Sequence, residues 1–410
     1  MLITNIKYLV NVREETKLLR GNELANLPIL EDAFLIIQEG KIVDYGLMSE
    51  LKQDELKQEI YDAKQAGVLP SWCDSHTHLV FAASRENEFI DKINGLSYAE
   101  IATKGGGILN SAKKLNETSE DILLEQAQTR LNELIQLGTG AIEIKSGYGL
   151  SVEGELKMLR VIQQLKKQNQ IPIKATFLGA HALPEIYKEN KTAYIDLIIQ
   201  EMLPKIAKDN LADYIDVFCE QGFFTPKETE QICQAGIEYG LKPKIHANQL
   251  NISGGVQAGV HTNAISVDHL ETIAEQEIGL LSKENSPIAT LLPSCSFFLR
   301  MQYPPARTLI QNNAAVALAS DFNPGSSPSG NMNFVLSLAC IQMKMLPEEA
   351  INAATINGAY AMEVQEKVGS ITKGKLANLI FTKPIPSLAY LPYSFGSHQI
   401  DKIMLNGNFI

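Results

Sequence analysis

The sequence predicts an α/β protein: a (β/α)8 barrel of the TIM type joined to a small β-sandwich domain that is built from both termini. Three observations support this fold. Short apolar segments alternate with amphipathic ones in the middle of the chain, both ends are rich in β-forming residues, and polar residues follow the apolar segments. We expect the small domain at 1–66 and 365–410 and the barrel domain at 67–364.

Composition and charge narrow the class of protein. The chain has 410 residues, 45% of them hydrophobic and 20% charged, which excludes a disordered or fibrous protein. Its net charge of −11 argues against nucleic-acid binding, because phosphate recognition needs a basic face. Five scattered cysteines, no readable signal peptide and no apolar run of membrane-spanning length predict a cytoplasmic protein without membrane contact.

Both ends of the chain are predicted to form strands. Residues 33–38 and 41–46 flank Glu39-Gly40, where glycine supplies the positive φ that hairpin turns need. A short helix is expected at 49–60. The stretches 370–382 and 399–410 are again rich in β-forming residues, so one small domain made from both ends is predicted.

The middle of the chain is predicted to hold eight strands, at 67–73, 141–145, 173–179, 214–219, 244–247, 264–267, 288–292 and 315–319. Helices are predicted between them, for example at 119–137, 151–167, 227–239 and 347–362. The last of these begins with Pro347-Glu-Glu, where proline suits the first turn and the acids face the positive end of the helix dipole. Periodicity alone also allows a doubly wound open sheet.

The positions of the polar residues favour the barrel, because barrel active sites form at the carboxyl ends of the strands. Six of the seven histidines lie in the barrel segment, and five of those six lie at or just after a predicted strand end. The polar residues at these ends are Asp74, His76, His78, Lys145, Tyr148, His181, Glu220, His246, His269, Ser294 and Asp321.

The segment Asp74-Ser-His-Thr-His contains the clearest chemical motif. Residues two apart in an extended strand point to the same face, so His76 and His78 can bind one ion. The pair alone is also compatible with two solvated histidines. Adding His246 and Asp321 from later strand ends favours a site for Zn²⁺ or an iron ion, since three imidazoles and a carboxylate suit both.

Motifs spread over nearly the whole chain resemble those of a known family. They are His76-Thr-His-Leu-Val-Phe with Arg85, Lys104-Gly-Gly-Gly-Ile, Lys145-Ser-Gly-Tyr-Gly-Leu, Phe177-Leu-Gly-Ala-His-Ala-Leu-Pro, Ile245-His-Ala-Asn-Gln, Val267-Asp-His-Leu-Glu, Pro304-Pro-Ala-Arg, Asp321-Phe-Asn-Pro-Gly and Ala354-Thr-Ile-Asn. On these motifs the chain resembles the imidazolonepropionase family of the amidohydrolase superfamily. The two-histidine motif alone would indicate only the superfamily.

The resemblance implies an activity and a set of site residues. The reaction would be hydrolysis of the cyclic amide of 4-imidazolone-5-propanoate to N-formimidoyl-L-glutamate by a metal-activated water, a step of histidine degradation. One Zn²⁺ or Fe³⁺ ion per chain would be held by His76, His78, His246 and Asp321. His269 and Asp321 would be catalytic, and the substrate would be bound by Arg85, Tyr148, His181, Asn323, Gly325 and Ser326. Members of the family commonly form homodimers.

Elementary chemistry agrees with these roles but leaves alternatives. A propanoate needs a cation, and Arg85 can bind it through two hydrogen bonds. Arg85 could instead form a surface ion pair with Glu86, and Tyr148 could simply pack in a loop. The segment Asp321-Phe-Asn-Pro-Gly could be an Asx-type turn.

One position departs from the family pattern. Many relatives have an acid three residues after the histidine of strand five, where this chain has Gln249. An amide cannot transfer a proton but can hydrogen-bond a ring, so we expect Gln249 to bind substrate. The stretch 217–222 contains no lysine that could bridge a second metal, so a single ion is expected. The alternatives are hydrolysis of another heterocycle, as in a nucleobase deaminase, or a catalytically idle binding barrel.

Overall fold

The computed structural model describes residues 1–96, 100 and 106–410. Of the glycine-rich motif that begins at Lys104, the lysine and Gly105 lie outside the described residues, whereas Gly106 and Gly107 lie within them. Gly107 precedes the helix Ile108–Glu117 with a φ of 87°, a value that glycine adopts readily.

Eight parallel strands form the predicted barrel, in the same order in space as in sequence. They are Trp72–Thr77, Thr139–Lys145, Ile173–Ala180, Tyr214–Cys219, Lys242–Ala247, Ser266–His269, Ile288–Leu291 and Val316–Leu318. Contacts just beyond the eighth strand join it to the first strand. A parallel bridge connects Phe322 to Thr77, and the N–H of His78 donates to the Phe322 carbonyl at 2.8 Å. The (β/α)8 prediction is therefore confirmed, and the open-sheet alternative is excluded.

The predicted strand 67–73 is in fact two strands in different sheets. Gly67–Pro70 pairs with Leu2–Val10 and Leu379–Thr382, whereas Trp72–Thr77 pairs with Thr139–Lys145. The chain passes between the sheets at Ser71, whose N–H donates to the Asn378 carbonyl at 2.9 Å. Pro70-Ser71 marks the break in the sequence, because proline and serine favour turns, but the prediction included both residues in one strand.

The second sheet contains the strands of both ends, as predicted. Its eight strands are Leu2–Val10, Ile29–Gln38, Lys41–Leu47, Ile60–Asp62, Gly67–Pro70, Leu379–Thr382, Ile400–Leu405 and Asn408–Phe409. Leu35, Phe381 and Met404, from three of these strands, belong to one cluster of buried apolar side chains. The short helix predicted at 49–60 is wrong: this stretch forms two 3₁₀ turns, Met48–Glu50 and Gln53–Lys57.

The helices among the described residues lie largely between the barrel strands in the sequence, and several pack against those strands. They are Glu86–Ile93, Ile108–Glu117, Glu120–Gln136, Val152–Gln168, Lys191–Leu197, Leu203–Lys208, Pro226–Glu238, Gly255–His261, Glu275–Leu281, Pro293–Leu299, Ala306–Gln311, Met332–Ile341, Pro347–Ala354, Ile356–Ala361 and Tyr390–Tyr393, and a π-helical turn, Ile198–Met202, joins the fifth and sixth. The predicted helix 347–362 is broken at Thr355, whose hydroxyl donates to the Ile351 carbonyl at 2.6 Å. Among the described residues, no helix is both long and apolar enough to cross a membrane.

Candidate metal centre and substrate cavity

Three imidazoles and one carboxylate converge at the carboxyl end of the barrel. His76 lies in the first strand and His78 directly follows it. His246 belongs to the fifth strand, and Asp321 follows the eighth. Asp321 Oδ1 lies 3.6 Å from Nε2 of both His76 and His78, and Nε2 of His78 lies 3.4 Å from Nε2 of His246. All four side chains are buried. The structure therefore brings together the four residues that the sequence analysis assigned to a metal.

The chemistry of this donor set fits a transition-metal ion. Burial lowers the pKa of His76 and His78 well below the usual value, so both rings are neutral and keep a lone pair for a metal. His76 Nε2 has no hydrogen-bond partner within the described part of the chain, although it is fully buried. A buried nitrogen left without a partner is costly unless it binds an ion or water, so a metal accounts for the arrangement.

Two carboxylates that the sequence analysis missed orient two of these rings. Asp268 Oδ2 lies 2.6 Å from His76 Nδ1, and Asp216 Oδ2 lies 2.9 Å from His246 Nδ1. Each ring then directs Nε2 towards the convergence point, as metal-binding histidines usually do. A single acid inside an otherwise apolar strand, as in the run 214–219, was the available sign of such a role.

His269 lies beside the same cluster and is held by an acid of its own. Its ring centre is 5.4 Å from that of His246, and its Nδ1 is 3.2 Å from Glu271 Oε1. Burial lowers the pKa of His269, but the nearby Glu271, Asp321 and Asp268 carboxylates outweigh burial and raise it to about 9. His269 and Asp321 both have positive φ, 87° and 55°, which is uncommon for residues other than glycine and frequent at functional sites.

A cavity of about 720 Å³ opens above the cluster and contains most of the predicted site. Its lining includes His78, Arg85, Tyr148, His181, His246, Gln249, His269, Asp321, Asn323, Gly325 and Ser326. His181 stacks on His78 with ring centres 5.2 Å apart, and Tyr148 lies 5.6 Å from His181. Lys92 and Arg300 also line the cavity, and no motif in the sequence had pointed to either.

Arg85 forms an ion pair, but with Glu88 and not with Glu86. Its Nε donates to Glu88 Oε2 at 2.8 Å and Nη2 donates to the same oxygen, while the other Glu88 oxygen accepts the N–H of Gly107 at 2.9 Å. A Cβ placed on Gly325 would lie 2.3 Å from Arg85 Nη1. The guanidinium therefore lies directly against the loop that follows Asp321.

That loop contains the predicted Asx-type turn. Asn323 Oδ1 accepts the N–H groups of Gly325 and Ser326, both at 2.8 Å. The segment that forms this turn also lines the cavity, so it can be both an Asx-type turn and part of a binding site. Gln249, the departure from the family pattern, donates from Nε2 to Cys295 Sγ at 3.2 Å.

Comparisons with known proteins agree with this geometry. The sequence pattern of the Amidohydrolase family matches residues 68–410, so the chain is a member of the amidohydrolases. It belongs more narrowly to the imidazolonepropionase family: it is 60% identical to the imidazolonepropionase of Flavobacterium johnsoniae over 100% of this chain and 99% of that protein. The imidazolonepropionase of Alkaliphilus metalliredigens is 38% identical over 100% and 97% of the two chains.

Solved structures share the fold at much lower identity. A zinc-containing adenosine deaminase from Xanthomonas campestris superposes with a TM-score of 0.68 at 16% identity, covering 100% of this chain and 92% of that one. A guanine deaminase from C. acetobutylicum, with guanine in its active site, gives 0.70 at 17% identity, covering 98% and 100%. Likeness at this level concerns the fold alone.

Proposed function

We propose that this protein hydrolyses the ring amide of 4-imidazolone-5-propanoate to N-formimidoyl-L-glutamate, a step of histidine degradation. One observation carries the proposal: a single cavity joins the convergent donors His78, His246 and Asp321 to the Arg85 guanidinium. The donor cluster suits cleavage of a carbon–nitrogen bond, and the guanidinium suits a carboxylate tail. The membership of the imidazolonepropionase family over the full chain supports the same substrate.

His76, His78, His246 and Asp321 would hold one Zn²⁺ or Fe³⁺ ion. Such an ion acts as a Lewis acid, which polarises a carbonyl and lowers the pKa of water towards about 7. The buried Nε2 of His76, which has no hydrogen-bond partner within the described part of the chain, supports an ion at this point.

The chain's own residues would bind and orient the substrate. Arg85 would bind the propanoate through the part of its guanidinium that faces the cavity, since Glu88 holds the Nε edge. Tyr148, His181 and Gln249 would contact the ring. Asn323, Gly325 and Ser326 would line the wall beside Asp321, where their turn fixes the position of the carboxylate.

Hydrolysis requires two proton movements. As water oxygen bonds to the ring carbonyl carbon, a proton leaves the water, and as the ring carbon–nitrogen bond breaks, the leaving nitrogen gains one. Asp321 would accept the first proton. His269, which Glu271 supports as a cation, would stabilise the developing oxyanion and give its ring proton to the leaving nitrogen. The proton held by Asp321 would then pass to His269 and restore both groups. Gln249 can hydrogen-bond the ring, but it cannot carry a proton.

Turnover is the direct test of this proposal. Freshly prepared imidazolonepropionate is added to the metal-loaded protein, and the loss of its ultraviolet absorbance is followed with and without prior chelation. We expect rapid loss that chelation abolishes. Loss at the spontaneous rate, with metal bound, would reject this substrate and favour either an idle barrel or a nucleobase deaminase. Assays with adenine, guanine and their nucleosides then separate these two.

Four further properties belong to the same proposal. We infer a cytoplasmic enzyme that works as a homodimer without nucleic-acid or membrane partners, and light scattering on purified protein tests the dimer. We also propose the division into a barrel and a small domain of both termini. The pairing of Gly67–Pro70 with the terminal strands suggests that this segment belongs to the small domain.

A further inference from the structure

Five charged side chains are buried inside the barrel beneath the imidazole cluster. They are Glu143, Lys145, Asp216, Lys244 and Asp268, each no more than 1% exposed. Burying charge is costly unless every group is paired. The presence of five buried charged groups in one place therefore calls for a functional reason. None of the roles described above uses the two lysines.

Lys145 occupies a special position among these groups. Its Nζ donates to Glu143 Oε1 at 2.6 Å and to Asp216 Oδ2 at 2.8 Å, and it lies 3.7 Å from Asp268 Oδ2. These two aspartate oxygens are the same atoms that face the metal-site imidazoles. Asp216 Oδ2 faces His246 Nδ1 at 2.9 Å, and Asp268 Oδ2 faces His76 Nδ1 at 2.6 Å.

We propose that Lys145 is a positioning residue of the metal centre: one ammonium fixes both aspartates, and each aspartate fixes one metal-binding imidazole. The inference rests on the metal site of the proposed function and adds a residue to it. Lys145 would contact neither the metal nor the substrate. Its contribution would be to hold His76 and His246 in the tautomer and orientation that direct Nε2 towards the ion.

Electrostatic repulsion alone predicts that Lys145 weakens metal binding, whereas positioning predicts that it strengthens metal binding. Burial lowers the pKa of a lysine, but Asp216, Glu143 and Asp268 outweigh burial here and raise the pKa of Lys145 above its usual value, so the group stays cationic. A buried cation close to a metal site repels the metal, so removing it would strengthen metal binding if repulsion dominated. Positioning predicts weaker binding, and the direction of the change therefore separates the two effects.

Lys244 provides the matched control. It is equally buried and also pairs with Glu143, and it donates to the carbonyls of Ser75 and Ala361 at 3.1 and 3.3 Å. Among the contacts of the described residues, none joins Lys244 to Asp216 or Asp268. Lys244→Met therefore removes a buried ammonium from the same network without releasing either aspartate that supports an imidazole.

The experiment compares metal binding in the wild type, Lys145→Met and Lys244→Met. Zn²⁺ affinity is measured by competition with a chromophoric chelator, and the visible spectrum of the Co²⁺-loaded proteins reports the geometry of the site. We expect Lys145→Met to bind Zn²⁺ about 10–100-fold more weakly, the usual cost of losing an outer partner of a metal ligand. It should also alter the Co²⁺ spectrum. Lys244→Met should stay within about threefold of the wild type with an unchanged spectrum.

Each outcome bears on the proposal. Unchanged or tighter Zn²⁺ binding by Lys145→Met, or equal weakening by both variants, would overturn it. If Lys145→Met does not fold, Lys145→Gln, which keeps a donor without the charge, replaces it; failure of both while Lys244→Met folds would make Lys145 a folding residue only. Absence of Zn²⁺ binding in the wild type would reject the metal site itself and this inference with it. If the wild type binds Zn²⁺, a weaker affinity in Lys145→Met reports on Lys145 alone.

Discussion

Asp321 and His76 are joined through their backbones, and their side chains meet at the proposed metal site. The N–H of Asp321 donates to the carbonyl of His76 at 3.0 Å, and Asp321 Oδ1 lies 3.6 Å from His76 Nε2. The hydrogen bond belongs to the seam where the eighth strand returns to the first. Closure of the barrel therefore sets the distance between two predicted metal ligands that are 245 residues apart in the sequence.

This relationship makes Asp321→Asn an informative variant. The backbone hydrogen bond to His76 is kept and the side-chain shape is preserved, so we expect the fold to remain. Loss of the carboxylate removes the proposed proton acceptor, and kcat should fall about 10²–10⁴-fold. Steady-state kinetics measures the fall, and exposed Asp401→Asn provides the control. Retention of a tenth or more of the activity would show that Asp321 is not the base.

Arg85 should determine affinity for the propanoate. Arg85→Met removes the cation that faces the cavity, and hydrogen bonds to charged groups contribute about 1.5–3 kcal/mol, so we expect kcat/KM to fall about 10–150-fold, mainly through KM. Substrate titration measures this change, with Glu86→Gln as the control at an exposed neighbour. Equal KM values for Arg85→Met and the wild type would leave the carboxylate tail without its proposed partner.

Gly325 should be required for the position of Arg85. A Cβ at this residue would lie 2.3 Å from Arg85 Nη1, too close for the guanidinium to stay where it is. We expect Gly325→Ala to raise KM about tenfold or more while changing kcat less, because Asp321 and the imidazoles are not displaced. Gly279→Ala, at a site with open space around the added methyl group, is the control. A KM equal to that of the wild type would show that Arg85 adjusts freely.

Gln249 is expected to be compatible with catalysis. Asp321 and His269 supply the proton transfers in the proposed mechanism, so Gln249→Glu should change kcat by less than about tenfold. The same turnover assay measures it, with Gln221→Glu as a surface control. Activity that appears only in Gln249→Glu would instead favour an idle barrel in the natural chain.

The sequence was sufficient to predict the barrel and the convergence of the proposed metal ligands, because both follow from strand ends meeting at one rim. It did not predict Asp216 or Asp268 as partners of the imidazoles, since one acid in a strand gives no sign of which residue it will face. Likewise the pairing of Arg85 with Glu88 depends on the turn of the helix Glu86–Ile93. The break at Ser71 was missed because Pro70-Ser71, a pair that favours a turn, was included in one predicted strand.

Lys375 should make stability depend on pH. Its side chain is 4% exposed and donates to the Val368 carbonyl and Ser370 Oγ, and burial lowers its pKa to about 8 from the ordinary 10.5. Below pH 8 the folded protein bears the full cost of a buried charge. Between pH 8 and 10.5 the folded state releases the proton before the unfolded state does, so this group raises the free energy of unfolding as pH increases.

Lys375→Met isolates this contribution. Urea unfolding of the wild type and the variant is compared at pH 7 and pH 10, and the wild type should gain on the order of 2 kcal/mol relative to the variant, from about 1.4 kcal/mol per pKa unit. The lost hydrogen bonds to Val368 and Ser370 cost the variant the same amount at both pH values, so they cancel in this comparison. Lys367→Met, at an exposed position nearby, should show no such difference. Parallel stabilities of the wild type and Lys375→Met across this range would mean that the pKa of Lys375 is not lowered in the folded protein.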